Sequence, residues 1–199
     1  MPSGQAGLEE DAMRIGSGLE KGRRIRAKAG SKTRPTTAKV RKAIFDTLFG
    51  KFELEGARVL DLFAGTGSLG LEAASRGAAS VVFVESDRKA ADQLRATAGE
   101  LGQRLPCRLE VVGVEASAYL ARQSEPADLC LCDPPYSFDE WGDLLGKHPA
   151  RLVVAESNRE LPESGGYRRT TLKRYGDTWV SFFVLHEEAP EAGIQKEDS

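Results

Sequence analysis

From Ala57 onward, short apolar runs alternate with longer amphipathic stretches. The runs near Arg58–Phe63, Ser80–Glu85, Arg108–Val112, Asp128–Asp133 and Arg151–Glu156 have the length and character of buried parallel strands. Between them, Ser68–Arg76, Arg88–Leu101, Ala116–Arg122 and Asp139–Leu145 read as helices, the first offering Leu69, Leu71, Ala73 and Ala74 for packing. Regular strand–helix alternation predicts an α/β fold, a doubly wound, mostly parallel sheet with helices on both faces. The end of the chain departs from it. Tyr167–Tyr175 and Thr178–Leu185 flank Gly176-Asp177 and predict an antiparallel hairpin. Upstream, Arg14 to Lys28 reads as a glycine-interrupted hairpin too small to fold alone. Lys32 to Thr37 reads as a linker, and Thr36 or Thr37 caps a helix running to about Phe49. Val40, Ala43, Ile44, Leu48 and Phe49 follow a helical period and are expected to face the main domain.

The 199 residues suit one main domain, residues 52–186, with an appended arm, residues 13–51. A hydrophobic content of 40% is enough for a substantial core. No apolar stretch approaches the roughly 18 residues of a membrane-spanning helix. Met1–Ala12 has no apolar stretch of signal-peptide length and carries Glu9, Glu10 and Asp11. This segment and the polar, acidic tail Glu187–Ser199 are expected to be disordered. Three cysteines without a scaffold pattern argue for reduced thiols in a cytoplasm. Cys130 and Cys132 share one strand face, a core arrangement, and His148 and His186 are isolated, so no metal site is expected.

A net charge of −2 hides an asymmetry. Met13 to Lys51 holds twelve basic residues against Glu20 and Asp46, whereas sixteen basic residues face twenty-five acidic ones after Lys51. A basic arm on an acidic domain suits a phosphate-backbone partner; a solvated charged face is the plainer reading.

Candidate chemistry sits at strand ends. In Asp61-Leu62-Phe63-Ala64-Gly65-Thr66-Gly67, the glycines allow a sharp strand-to-helix turn and close approach of a ligand. Glu85 ends the next strand, about 20 residues past that loop, where a carboxylate binds ribose hydroxyls. It also reads as an acidic helix-entry residue before Asp87. Both features fit NAD and S-adenosylmethionine alike. Asp133-Pro134-Pro135-Tyr136 separates them, because a dehydrogenase has no need of it. The exocyclic amine of a flat base is a poor nucleophile, its lone pair being delocalised into the ring. The Asp133 carboxylate and the Pro134 carbonyl can accept its two N–H hydrogens and aim that lone pair at an electrophile. The prolines carry no competing N–H and stiffen the turn, and Tyr136 offers a face for stacking. A proline-rich turn with no ligand is the alternative. In open parallel sheets ligands bind at the carboxyl ends of strands near the switch in strand order, and Asp61, Glu85 and Asp133 all fall on that rim.

With both motifs in hand, the chain resembles class I S-adenosylmethionine methyltransferases and, more narrowly, the bacterial 16S rRNA guanine-N2 methyltransferase family (RsmD). Four stretches carry the resemblance: Met13-Arg14-Ile15-Gly16-Ser17-Gly18 with Gly22-Arg23-Arg24; Thr33-Arg34-Pro35-Thr36-Thr37 with Val40-Arg41-Lys42-Ala43-Ile44-Phe45; Val59 to Ala73 with Arg76-Gly77-Ala78-Ala79; and Asp133-Pro134-Pro135-Tyr136. The resemblance implies a seven-stranded Rossmann-like sheet with a reversed last strand. It implies S-adenosylmethionine as cofactor, held by Asp61, Phe63, Gly65, Gly67, Glu85, Ser86, Glu115 and Ala116. It places catalysis at Asp133 to Tyr136 and the substrate, 16S rRNA or an assembling small subunit, against Arg23, Arg24, Arg34, Thr36 and Arg41. It leans toward a monomer. Three departures stand out: Gly16 replaces a β-branched residue and should loosen the first strand, Ala38 and Lys42 replace acidic residues, and Glu115 replaces an aspartate. Rival readings are an amine methyltransferase acting on adenine N6 of DNA or on large-subunit rRNA, an inactive RNA-binding module, and a NAD-linked oxidoreductase.

Overall fold

The computed structural model describes residues 13–25 and 37–186. The expectations for Met1–Ala12, for the linker with Arg34 and Thr36, and for the tail Glu187–Ser199 lie outside the described residues. A short antiparallel pair, β1 (Met13–Arg14) and β2 (Arg24–Ile25), precedes helix α1 (Ala38–Leu48). Thr37 caps that helix, its Oγ1 accepting the Val40 N–H. The main domain then runs β3 (Arg58–Leu62), α2 (Ser68–Ser75), β4 (Ser80–Val84), α3 (Arg88–Gly102), β5 (Arg108–Val112), α4 (Ala116–Leu120), β6 (Ala127–Cys132), α5 (Trp141–Gly146), β7 (Ala150–Ser157), β8 (Tyr167–Tyr175) and β9 (Thr178–Leu185).

The seven main strands form one sheet in the order β5-β4-β3-β6-β7-β9-β8. β3 to β7 are parallel and β9 is inserted antiparallel between β7 and β8. From β3 the chain winds outward to β5 and then returns to the other side of β3 with β6, so the strand order reverses between β3 and β6. That crevice is where such sheets bind ligands. Side chains alternate between faces along each strand. Val59, Val81, Leu129 and Val154 join one core with residues of α1, α2 and α3. Leu60, Leu62, Cys130 and Val153 join another with α4 and α5.

The arm is built into the first core. Ile15, Ile25, Val40, Ile44, Phe45 and Leu48 pack in the same cluster as Leu69 and Leu71 of α2. All eight residues of α2 are buried. The helix lies hard against the sheet at Gly70, where a Cβ would fall 2.3 Å from the Phe83 ring. A buried ionic hub fastens the arm above it. Glu72 accepts the Gly16 N–H at 2.6 Å and the Arg76 Nε–H at 2.8 Å, and pairs with Arg41 Nε at 3.8 Å. Arg41 also donates to the Arg14 carbonyl at 2.7 Å.

Three expectations are corrected here. Arg41 is only 5% exposed, and its guanidinium holds the arm to α2 instead of facing a substrate. Phe49 does not face the domain and is 85% exposed. The helix ends at Leu48, and the extended backbone at Phe49 breaks the period that would have turned it inward. Gly16 lies past β1 rather than in it, and a Cβ there would stand 3.2 Å from Glu72 Oε1, so glycine lets the hairpin reach the hub.

Candidate active site

The carboxyl ends of β3 and β6 lie side by side, with Leu62 opposite Cys132, so Phe63 and Asp133 leave the sheet as neighbours. The backbone after β3 turns through left-handed conformations at Phe63 (φ 58°), Gly65 (φ 53°) and Gly67 (φ 75°). Gly67 suits its place, because a Cβ would lie 2.4 Å from Leu94 Cδ1. Phe63 has no such freedom as a non-glycine residue, and strain of this kind, about 1 kcal/mol or more, clusters at ligand sites. Its ring lies 5.1 Å from Phe138, which meets Trp141 edge-on at 5.2 Å. This aromatic chain joins the glycine loop to the segment after Asp133-Pro134-Pro135-Tyr136.

Two carboxylates brace the glycine loop from different sides. Glu85 accepts the Gly65 N–H and the Asp87 N–H, each at 2.7 Å. Asp87 in turn caps α3 through the Ala90 N–H. Asp61 is 2% exposed and accepts the Gly70 N–H at 2.8 Å, so it ties β3 to α2 beneath the loop. Burial pushes its carboxyl well above the usual carboxylate range; the Gly70 N–H opposes this, and the charges of Asp133 and Glu85 add to it. Asp61 therefore lies close enough to Asp133 and Glu85 to feel both of their charges. Ser86 and Glu115 are exposed at the ends of β4 and β5, and Ala116 is buried at the start of α4. Glu115 precedes α4 without using its side chain to cap it.

The Asp133-Pro134-Pro135-Tyr136 segment is held from outside by residues the sequence reading passed over. Tyr136 donates or accepts through its hydroxyl with Thr178 Oγ1 at 3.0 Å, and its carbonyl accepts from Asn158 Nδ2 at 3.3 Å. Pro135 offers its carbonyl to the Phe138 N–H at 2.8 Å. Tyr136 is 42% exposed, its ring available above the rim. Asn158 closing the β7 end and Thr178 opening β9 are weak signals, meaningful only once strand order is known.

On the arm, Arg24 is exposed, but Arg23 pairs with Glu20 at 3.4 Å and Glu100 at 3.6 Å. No group of His, Cys, Asp or Glu among the described residues has a metal-binding arrangement. A cavity of about 570 Å³ lies away from this rim, between Leu60, Val82 and Val112 of the sheet and Tyr119, Arg122 and Gln123.

The family described as "Conserved hypothetical protein 95" matches residues 13–184, nearly all of the described chain. The chain belongs to this family, the RsmD family. Among RsmD-family relatives, the Bacillus subtilis protein YlbH is 36% identical over 182 residues, covering 86% of this chain and 98% of that protein. "Ribosomal RNA small subunit methyltransferase D" of Haemophilus influenzae is 35% identical over 182 residues, covering 85% and 91%. The solved structure of yhhF from Escherichia coli superposes with a TM-score of 0.77 at 30% identity, over 89% of this chain and 99% of that one.

Proposed function

We propose that this chain is an S-adenosylmethionine-dependent methyltransferase acting on the exocyclic N2 amine of a guanine in small-subunit ribosomal RNA. The observation that carries the reading is the juxtaposition across β3 and β6, which sets the glycine loop beside Asp133-Pro134-Pro135-Tyr136. The relative from Haemophilus influenzae, named for small-subunit ribosomal RNA, supports the substrate.

The residues present fit the cofactor. A Cβ added at Gly65 would meet nothing closer than 4.0 Å, so the loop is bare where a ligand would lie. The acidic rim of Glu85 and Asp133 suits a donor that carries positive charge. Glu85, steadied by two backbone N–H groups, would accept from ribose hydroxyls, with Ser86 beside it. Glu115 and Ala116 would border the adenine, and Phe63 with Gly65 and Gly67 would form the floor. Asp61 would contribute loop shape from below, through the Gly70 N–H, and charge only once ionised. Bound there, S-adenosylmethionine supplies an already activated methyl group, so the protein needs position more than a strong base.

The chain's own task is to present the amine. The Asp133 carboxylate and the Pro134 carbonyl accept its two hydrogens and direct the lone pair along the crevice. Tyr136, its phenol fixed by Thr178, presents its ring to the base. A guanine within folded RNA must be unstacked first, at a cost of a few kcal/mol that basic contacts offset. Arg24, and Arg34 and Thr36 outside the described residues, are the arm's proposed contacts.

The test is tritiated methyl transfer to small ribosomal subunits from a strain lacking this protein, with nuclease mapping of the product. Label as N2-methylguanine is expected. Label on adenine or on DNA would replace the substrate, and Asp133→Ala retaining near-normal turnover would remove the amine-presenting role.

A further inference from the structure

β8, with the sequence Tyr167-Arg-Arg-Thr-Thr-Leu-Lys-Arg-Tyr175, is the edge strand of the sheet and carries four basic residues and no acid. It belongs to the otherwise acidic part of the chain. Two of the four are engaged locally: Arg169 pairs with Glu160 and donates to the Leu161 carbonyl, and Lys173 donates to Thr47 of α1. Arg174 is different. It is exposed, and no carboxylate among the described residues lies within ion-pair distance of it. Its Nε donates to the Gly176 carbonyl at 2.9 Å, and its guanidinium carbon lies 5.1 Å from the centre of the Trp179 ring. The fork is thus aimed by one hydrogen bond and shelved on an aromatic face, which leaves both terminal amino groups for a ligand.

Its place on the rim gives the ligand. Trp179 pairs with Arg174 on one side and with Ser157 on the other. Ser157 precedes Asn158, which holds the Tyr136 carbonyl, and Thr178 beside Trp179 holds the Tyr136 hydroxyl. The hairpin tip and the Asp133-to-Tyr136 segment are therefore one hydrogen-bonded unit. β6 and β8 are three strand spacings apart, about 14 Å, so Arg174 is out of reach of the nucleotide presented at Asp133 and meets its neighbours. A planar, unneutralised fork at that distance matches a backbone phosphate.

We propose that Arg174, held on Trp179, grips a backbone phosphate of the RNA flanking the target nucleotide, a second grip besides the exposed arginines of the hairpin. This rests on the methyltransferase reading above. The test uses the full chain and small ribosomal subunits from a strain lacking this protein. Arg174→Ala is expected to raise the KM for subunits about tenfold. It should flatten the dependence of log affinity on log salt by about 0.7 to 0.9, one phosphate. The dissociation constant for S-adenosylmethionine and the Tm should stay unchanged. Arg168→Ala removes the same charge from the far, Val184-paired end of the strand and should leave KM and salt slope alone. Equal effects from the two substitutions, or none from Arg174→Ala, would overturn the proposal. Failure of the wild-type chain to methylate the subunits would instead refute the function on which it rests.

Discussion

Asp61 shows how one side chain serves stability and ligand chemistry at odds with each other. It sits under the glycine loop, 2% exposed, with the Gly70 N–H set against the cost of burying its charge. Its folded-state pKa is raised, so the protonated form is the one that folding favours. The stability associated with that proton is present below the ordinary aspartate value of 3.8 and is lost as pH rises through the raised folded value. Asp61→Asn keeps an oxygen for the Gly70 N–H and never ionises. Its Tm relative to wild type should therefore climb from about pH 4 upward, while affinity for the cationic cofactor should drop only above the raised folded pKa, where Asp61 is charged. Thermal scans across pH beside cofactor titrations would check both. A wild type that gains on the variant as pH rises would contradict burial as the dominant influence. Sequence alone placed Asp61 on the rim, because a strand end is readable from an apolar run. It could not tell a rim residue that faces the ligand from one closed beneath the loop, because that depends on the packing of α2.

At the scale of elements, periodicity read the main domain closely: β5, β8 and β9 fall on their expected bounds and the other main strands within one or two residues. The arm was less legible. A basic run signals charge, yet nothing in spacing says which cation turns inward, since the partner of Arg41 lies 31 positions away on another helix. Glu72 is one of the groups that hold the small hairpin in place, beside Ser75, which accepts the Glu20 N–H and donates to the Ser17 carbonyl. Removing Glu72 would leave the buried Arg41 and the Gly16 N–H without their carboxylate partner. Breaking a buried pair by deleting one partner costs about 3 to 5 kcal/mol. Glu72→Ala should thus lower Tm by roughly 6 °C or more for a chain of this length. Glu72→Gln, which keeps an acceptor, should lose less. Differential scanning of the two variants would show it, and a Tm within about 1 °C of wild type for Glu72→Ala would mean that apolar contacts alone fasten the arm.

Taken whole, the molecule joins an acidic crevice to exposed basic groups, Arg24 on the hairpin and Arg174 on the edge strand. The acidic centre suits a cationic donor and the basic groups suit phosphates, so each ligand meets charge of the opposite sign. Composition showed the basic arm but counted every cation alike. The structure sorts them: Arg41 is internal, Arg23 is shared between Glu20 and Glu100, and Arg24 is exposed and absent from every ion pair among the described residues. An arginine already neutralised releases few counterions when RNA arrives, whereas an unpaired one exchanges water and salt for a phosphate. Arg24→Ala should therefore reduce the salt slope of RNA binding by about 0.7 to 0.9, and Arg23→Ala should leave it nearly unchanged. Deleting the hairpin is a poorer probe of the same idea, because Ile15 and Ile25 belong to the core and their loss would expose α2. Affinities measured over a range of salt concentrations would decide the matter. Equal slopes lost from both positions would mean that the Glu20 and Glu100 pairs open on binding, and that the grip extends along the hairpin beyond its exposed arginines, Arg14 and Arg24.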